Sequence, residues 1–63
     1  MMGFETMSGT KFFIDMETMT ISGTHIKGVK KFNRIIRMVE GLPALIEFTN
    51  GRIRTTSPIL RFF

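Results

Sequence analysis

A chain of 63 residues without cysteine has few ways to form a stable fold, because disulfides and thiolate metal sites are both excluded. A domain of this size buries only about 60% of the surface that its unfolded chain exposes, so its apolar core alone is marginal. Small domains are usually supported by disulfides, a metal ion or a partner subunit. Zinc would need carboxylates in addition to the one histidine, His25. We therefore expect a homo-oligomer, with a very well-packed monomer as the alternative.

The composition is that of a globular protein, with 43% hydrophobic and 22% charged residues. No apolar run approaches the roughly 20 residues that span a bilayer. Residues 1–10 contain neither the positive segment nor the apolar segment of a secretion signal. Together with the lack of cysteine, these features predict a cytoplasmic protein that does not associate with a membrane.

The N-terminal third is predicted to contain a flexible lead-in followed by one or two strands. Residues 1–10 show no periodicity, whereas from residue 11 onward apolar and polar side chains alternate as in a half-buried strand. The alternation shifts phase between Met16 and Met19, which indicates a turn or a bulge. Residues 11–22 are therefore expected to form a bent strand or a hairpin, within a single domain that spans residues 11–63.

Residues 29–40 have the spacing of an amphipathic helix. Apolar residues recur at helical intervals, and the basic residues fall on the opposite side of a 3.6-residue repeat. Gly41 follows at the position of a left-handed C-cap, and Pro43 prevents the helix from continuing. The apolar stripe of this predicted helix consists of Val29, Phe32, Ile35, Ile36 and Val39.

The last third is predicted to begin with a β-hairpin. Asn50-Gly51 is the preferred pair for a two-residue type I′ turn. Such a turn would place Glu47 opposite Arg54, and this cross-strand ion pair would contribute about 0.2–1 kcal/mol. The core face of the hairpin would then carry Ile46, Phe48 and Ile53.

The hairpin is expected to end at Ser57-Pro58, because proline has no N–H to donate to a neighbouring strand. Residues 59–63 would then form a short apolar terminal strand or tail. These elements predict an α+β fold, in which one amphipathic helix packs on one face of an antiparallel sheet. The sheet would combine the N-terminal strand or hairpin, the Asn-Gly hairpin and the terminal strand.

The chain lacks the motifs of common enzymes. Its glycines form no phosphate-binding loop, and it has no Gly-x-Ser-x-Gly elbow. His25 is the one imidazole that could activate a nucleophile, and the adjacent Thr24 would point to the opposite face of a strand. Asp15 and Glu17 share one strand face, but an ordinary solvent-exposed surface explains this pair better than acid–base chemistry does. We therefore predict a non-enzymatic protein without a catalytic, metal or cofactor site.

The basic residues are concentrated after residue 26. Residues 1–26 hold one lysine and three carboxylates, a net charge of −2, whereas residues 27–63 hold eight Lys/Arg and two Glu, a net charge of +6. A cationic helix face and an arginine-bearing hairpin can contact neighbouring phosphates of a nucleic acid. A cationic face can equally serve to keep a small protein in solution. The candidate anion-binding residues are Lys27, Lys30, Lys31, Arg34, Arg37, Arg52 and Arg54.

Several apolar side chains near the strand ends find no place in the predicted core. Exposed apolar groups of this kind are more often part of an interface than a platform for nucleic-acid bases. We therefore assign them to contacts with a second copy or with another protein. These candidate interface residues are Phe13, Leu60, Phe62 and Phe63.

Residues 42–59, LPALIEFTNGRIRTTSPI, combine a strand, an Asn-Gly-Arg turn and a Thr-Ser-Pro ending. This segment resembles a hairpin of small accessory proteins of bacterial phages and prophages. The preceding FFIDMETMTI and FNRIIRMVEG are broadly similar to the strand and helix of that group. The resemblance implies a compact, non-catalytic and oligomeric protein that acts by binding, either to block a host enzyme or to sequester nucleic acid or nucleotide signals. It assigns no individual site residue.

The leading hypothesis from the sequence is a small basic binding protein that holds an anionic partner, a nucleic acid or a nucleotide, on its cationic helix face. One alternative is a homo-oligomeric interaction module or an inhibitor that binds a host protein through its terminal strand. Another is a structural or assembly component of a phage.

Overall fold

The computed structural model describes residues 2–24 and 26–63, and these residues form a closed antiparallel barrel of six strands. Each strand pairs with the next one in the chain, and the last strand pairs with the first. None of the described residues lies in a helix, so the predicted α+β fold is wrong. The strands are β1 (Met2–Thr6), β2 (Lys11–Asp15), β3 (Thr20–Gly23), β4 (Ile26–Arg37), β5 (Pro43–Phe48) and β6 (Ile53–Phe62).

The described residues accordingly contain no helix able to cross a membrane.

The core lies inside the barrel and is built from the inward face of each strand. In β2 the side chains of Phe12 and Ile14 are buried and their neighbours are not, as the two-residue repeat of a strand requires. The rings of Phe4 and Phe12 stack with their centroids 5.1 Å apart. Burial of one such side chain contributes about 1.5–3 kcal/mol. The buried apolar residues are Phe4, Phe12, Ile14, Ile21, Phe32, Ala44, Ile46 and Ile59.

The N-terminal residues belong to the barrel, in contrast to the flexible lead-in that the sequence predicts. Residues 2–6 form β1 between β2 and β6, and the side chain of Phe4 is fully buried. Residue 1 lies outside the described residues. Periodicity does not reveal β1, because Gly3 and Thr6 are buried beside Phe4 and no alternation of polar and apolar residues results.

Residues 11–22 adopt the hairpin that is one of the two expected alternatives. β2 and β3 pair in register from Asp15 and Thr20 at the turn to Phe12 and Gly23 at the far end. In the turn, the Oδ1 atom of Asp15 accepts the backbone N–H of Glu17 at 2.9 Å. This contact holds the reversal of the chain through a side chain as well as the backbone.

The predicted helix over residues 29–40 is wrong, because these residues belong to the long strand β4 and to the connection after it. The first part of β4 pairs with β3 and the second part with β5. The pairing register shifts three times along β4. The shifts at Asn33 and Ile36 each leave one extra residue in β4, as a bulge does, whereas the shift near Gly28, whose φ is +73°, leaves two.

The bulges explain why a strand carries the apolar spacing of a helix. One extra residue between two inward-facing positions lengthens the two-residue repeat of a strand to three. Phe32, Ile35 and Met38 therefore contribute to the core at intervals that imitate one face of a helix. By contrast, Val29 and Val39 of the predicted stripe are 66% and 51% exposed.

The β5–β6 hairpin has a three-residue loop instead of the predicted two-residue turn. The carbonyl of Phe48 accepts the Gly51 N–H at 2.9 Å, and the N–H of Phe48 donates to the carbonyl of Arg52 at 2.8 Å. Gly51 follows the turn with a φ of +85°, a conformation that glycine adopts without strain. These are the features of a three-residue loop that ends in a glycine bulge.

The extra loop residue shifts the register of the hairpin and exchanges the two faces of β6. Arg54 lies opposite the buried Ile46 rather than opposite Glu47, and Ile53 is turned outward with 55% of its surface exposed. A shift of one residue moves every side chain of a strand to the other face. The predicted Glu47–Arg54 pair is therefore wrong, and Arg54 points into the barrel opposite Ile46, where a two-residue turn would have placed Thr55.

β6 continues through Ser57-Pro58 and is not interrupted there. Residues 53–58 pair with β5, and residues 59–62 pair with β1. Pro58 lies opposite Pro43, at the position where β6 changes its partner from β5 to β1. Its carbonyl accepts the N–H of Met7 at 2.9 Å, which ties the β1–β2 connection to β6.

Candidate anion-binding cleft

A cleft of about 360 Å³ opens at the end of the barrel where β4 begins and the β5–β6 hairpin turns. β4 pairs with β5 only from Phe32 onward, so residues 26–31 pair with β3 alone and diverge from the hairpin. The space between them forms the cleft. It is lined by Ile26, Lys27, Lys30, Lys31, Phe48, Thr49, Asn50 and Arg54.

Half of the lining residues are cations and none is acidic, so we name this space the cationic cleft. Lys27, Lys30 and Lys31 come from the start of β4, and Arg54 comes from the start of β6. All four belong to the predicted anion-binding set. No salt bridge within residues 2–24 and 26–63 involves them. Their positive charges are therefore available to an anion.

Arg54 is the most unusual residue of the cleft, because its register points it toward the barrel interior. It lies opposite the buried Ile46, and its guanidinium carbon is 5.6 Å from the ring centroid of Phe12. This geometry is a cation–π contact with a core aromatic residue. The Nε atom is buried and has no hydrogen-bond partner among the described residues. A buried donor without a partner costs free energy, and a bound anion would remove that cost.

The three lysines border the cleft along the edge of β4 that is not paired with β5. Lys30 lies opposite Ile21, and Lys31 lies opposite Thr20. Neighbouring residues on a strand point to opposite faces, yet both lysines line the cleft because it runs along the strand edge. All three lysines are exposed, so their ammonium groups can move to meet a ligand.

The other three predicted anion-binding residues lie outside the cleft. Arg34 faces Glu47 across the β4–β5 pair, and its Nε is 3.2 Å from the Glu47 Oε1. The Nε of Arg37 donates to the carbonyl of Pro43 at 3.1 Å. Arg52 is exposed in the β5–β6 loop. The structure therefore brings together four of the seven predicted residues and gives Arg34 and Arg37 partners within the barrel.

The sequence interpretation missed the uncharged half of the cleft. Phe48 is predicted to be a core residue, and it does pack against the core, but it is only partly buried and also borders the cleft. Ile26 is partly buried beside it, and Thr49 and Asn50 add polar groups from the hairpin loop. The Asn-Gly signal identifies the position of this loop. It does not reveal that β4 diverges from it.

The predicted interface residues fall into two environments. The exposed ring of Phe13 is 5.7 Å from the exposed ring of Phe63, measured between centroids. Leu60 lies at the bulge between β6 and β1 and is also exposed. Phe62 differs, because its ring packs edge-on against the buried Phe4 at 6.1 Å. Phe13 and Phe63 therefore form an exterior aromatic pair, while Phe62 is anchored at the barrel end.

Asp15, one of the residues considered for catalysis, has a structural role in the barrel. Asp15 caps the β2–β3 turn by accepting backbone N–H groups, so its carboxylate has a structural partner. His25 lies outside the described residues. Within the described part of the chain, no group of three or more Asp, Glu, His or Cys side chains is close enough to hold a metal ion.

Comparisons of the chain with protein-family models, with curated proteins and with solved structures yield no match. The resemblance to phage accessory proteins therefore stays a prediction from the sequence.

Proposed function

We propose that this barrel is a binding protein that holds the phosphate groups of a nucleic acid or nucleotide in the cationic cleft. The observation that carries the proposal is the convergence of four cations, without a carboxylate, around the unpartnered Nε of Arg54. No step of the proposal requires bond making or bond breaking by the protein.

The chemistry of the cleft suits phosphate. A guanidinium group offers donors in a planar fork that matches two phosphate oxygens, whereas lysine ammonium groups act as mobile point charges. The recessed Arg54 would therefore orient one phosphate, and the exposed lysines would neutralise its neighbours. A cleft volume of about 360 Å³ lies in the range of about 300–1,000 Å³ that is typical of sites for small ligands.

Release of counterions gives the proposal a quantitative signature. Each neutralised phosphate contributes about 0.7–0.9 to the slope of log affinity against log salt concentration. Four contacts would give a slope of about −3 to −4. A pocket that holds a single phosphate group would give a much smaller slope.

The test is a fluorescence anisotropy titration of a fluorescein-labelled oligonucleotide at several salt concentrations. Replacement of two cleft charges, Lys30→Gln with Lys31→Gln, should weaken binding at least about tenfold and reduce the slope by about 1.4–1.8. The control, Lys11→Gln with Arg61→Gln, also removes two positive charges, both outside the cleft; the Nε of Arg61 lies 2.9 Å from the Glu5 Oε1, so this variant breaks one ion pair as well. It should change the affinity less than about threefold, because screening weakens the effect of distant charges. Equal losses in the two double variants would reject the cleft as the site.

A second candidate function is an interface through the exterior aromatic pair. Phe13 and Phe63 are 39% and 53% exposed, respectively, and two neighbouring exposed aromatic side chains are typical of a contact between proteins. We propose that this pair contributes to a homo-oligomer or to a contact with another protein. Deletion of residues 62–63 is a poor test, because it also removes the contact of Phe62 with the core.

Light scattering of the size-fractionated protein tests the interface with point variants instead. Phe13→Gln and Phe63→Gln keep the backbone pairing and remove the aromatic surface. A wild-type oligomer that becomes a monomer in either variant would support the interface. A monomeric wild-type protein would limit the pair to contacts with a different protein.

A further inference from the structure

We propose that the cationic cleft selects a single strand of nucleic acid over a duplex, with one base stacked on Phe48 and the adjoining phosphate at Arg54. This inference rests on the proposed function and specifies the ligand of the same site. It follows from the position of an aromatic ring among the cations and from the depth of Arg54.

Phe48 has the environment of a stacking platform. It lies opposite Phe32 at the last pair of β5, and it packs against the core while it also lines the cleft. The core supports one side of the side chain, so the surface that borders the cleft is held in place. A fixed aromatic surface beside Lys and Arg is the combination that non-specific single-strand binders use.

The depth of Arg54 argues against a duplex. Its Nε is buried beside the core ring of Phe12, so a phosphate that meets it must enter the cleft. A duplex holds its bases in a stack and cannot insert one nucleotide without the cost of unpairing and unstacking it. A single strand has unstacked bases available and can place a phosphate and a base in the cleft together.

The lysines extend the site along the backbone of the strand. Lys27, Lys30 and Lys31 lie on the stretch of β4 that has no β5 partner. This stretch is extended and exposed, so it provides a run of positive charge beside the cleft rather than a single anion pocket. Contacts of this kind do not read bases, and we expect weak sequence preference.

The experiment is a competition titration with fluorescein-labelled dT15 bound to the wild-type protein. The competitors are unlabelled dT15, a blunt 15-base-pair duplex and the mononucleotide dTMP. Unlabelled dT15 should displace the probe at a concentration at least about fivefold lower than the duplex, because one stacked base contributes roughly that much or more. dTMP should compete weakly, because it lacks the phosphates that would meet the lysines.

Two variants at one position separate stacking from packing. Phe48→Leu keeps an apolar side chain for the core and should lower the affinity for dT15 by about 5-fold to 150-fold, with little change for the duplex. Phe48→Tyr keeps the aromatic face and should bind like the wild type. Thermal melting followed by circular dichroism establishes that both variants are folded, and a Phe48→Leu variant that does not fold is replaced by Phe48→Met.

The outcomes distinguish this inference from the proposed function. Equal competition by dT15 and the duplex, or equal affinity of the Leu and Tyr variants, would overturn the single-strand inference. If the cleft lysine variants still weakened binding in that case, the proposed function would stand. Competition by dTMP as strong as that by dT15 would overturn the extended site in favour of a nucleotide pocket. Absence of binding to any of the three ligands would reject both proposals.

Discussion

Replacement of Arg54 by methionine tests whether this side chain is present for a ligand or for the stability of the barrel. Arg54 points to the same side of β6 as core residues, and its Nε is buried without a partner among the described residues. Methionine keeps an unbranched apolar side chain at the same position and removes the charge and the donor. The substitution therefore keeps the packing of the aliphatic part of the side chain and removes the free-energy cost of burying the polar guanidinium group.

The expected change in the free energy of unfolding follows from two opposing contributions. An unsatisfied buried donor costs about 1–3 kcal/mol, and more when the group is charged. The cation–π contact between the guanidinium and the Phe12 ring stabilises the folded barrel. Such a contact contributes about 0.5–1 kcal/mol at an exposed position and about 2 kcal/mol when it is desolvated. The first contribution is the larger one for this partly buried residue. We therefore expect Arg54→Met to stabilise the barrel by about 1 kcal/mol, which corresponds to an increase in Tm of about 4–8 °C for a domain of this size.

The assay is differential scanning calorimetry, together with urea unfolding followed by far-ultraviolet circular dichroism, because the chain has no Trp or Tyr for fluorescence. Arg52→Met is the stability control. It removes the same charge from an exposed loop position and should change stability by less than about 0.5 kcal/mol. The stabilised Arg54→Met variant should also lose affinity for dT15. A decrease in Tm of several degrees would refute the reasoning, because it would mean that the contacts of Arg54 stabilise the barrel by more than its burial costs.

Five further substitutions, at four positions, test the fold itself, and calorimetry measures each of them. Gly23→Ala should destabilise the barrel by about 1–3 kcal/mol, because the new Cβ would lie 2.6 Å from the carbonyl oxygen of Lys11; an unchanged Tm would contradict the β2–β3 register. Gly51→Ala should cost about 1 kcal/mol at its φ of +85°, and Gly51→Asn should cost less, because asparagine tolerates this conformation. Ile21→Ala should cost about 2–5 kcal/mol, because Ile21 is fully buried; a loss of less than about 0.5 kcal/mol would place Ile21 outside the core. Glu47→Gln breaks the exposed pair with Arg34 and should cost less than about 1 kcal/mol, a difference that should disappear at high salt concentration.

The largest error of the sequence interpretation concerns β4, and its cause is physical. Hydrophobic periodicity separates a strand from a helix only when the strand is regular. The bulges at Asn33 and Ile36 insert residues that leave the ladder, so Phe32, Ile35 and Met38 face inward at steps of three. A bulge depends on how two paired strands fit together, so the sequence of one strand does not predict it.

The candidate site depends on a smaller difference, one residue in a loop. Asn50-Gly51 marks the turn of the hairpin in the sequence, and the structure has its turn there. Asn-Gly favours the two-residue loop, but a three-residue loop also uses glycine in a left-handed conformation, so the local sequence is compatible with both. The three-residue loop turns Arg54 into the barrel and leaves Glu47 to pair with Arg34. A charge expected in an exposed cross-strand pair thereby lines the cleft with its Nε buried.

The sequence alone determined the size of the domain, the absence of disulfide support, the alternating pattern that begins at residue 11, the position of the last turn and the concentration of positive charge after residue 26. These features depend on residue identity and on near neighbours in the chain. The tertiary structure decided the closure of the barrel by β1 and β6, the bulges of β4 and the register that directs Arg54 inward. Each of these features depends on the pairing between whole strands. Two pairings that differ by a shift of one residue differ mainly in which side chains the barrel buries. The burial of the complete core selects among such pairings, and no segment contains that information by itself.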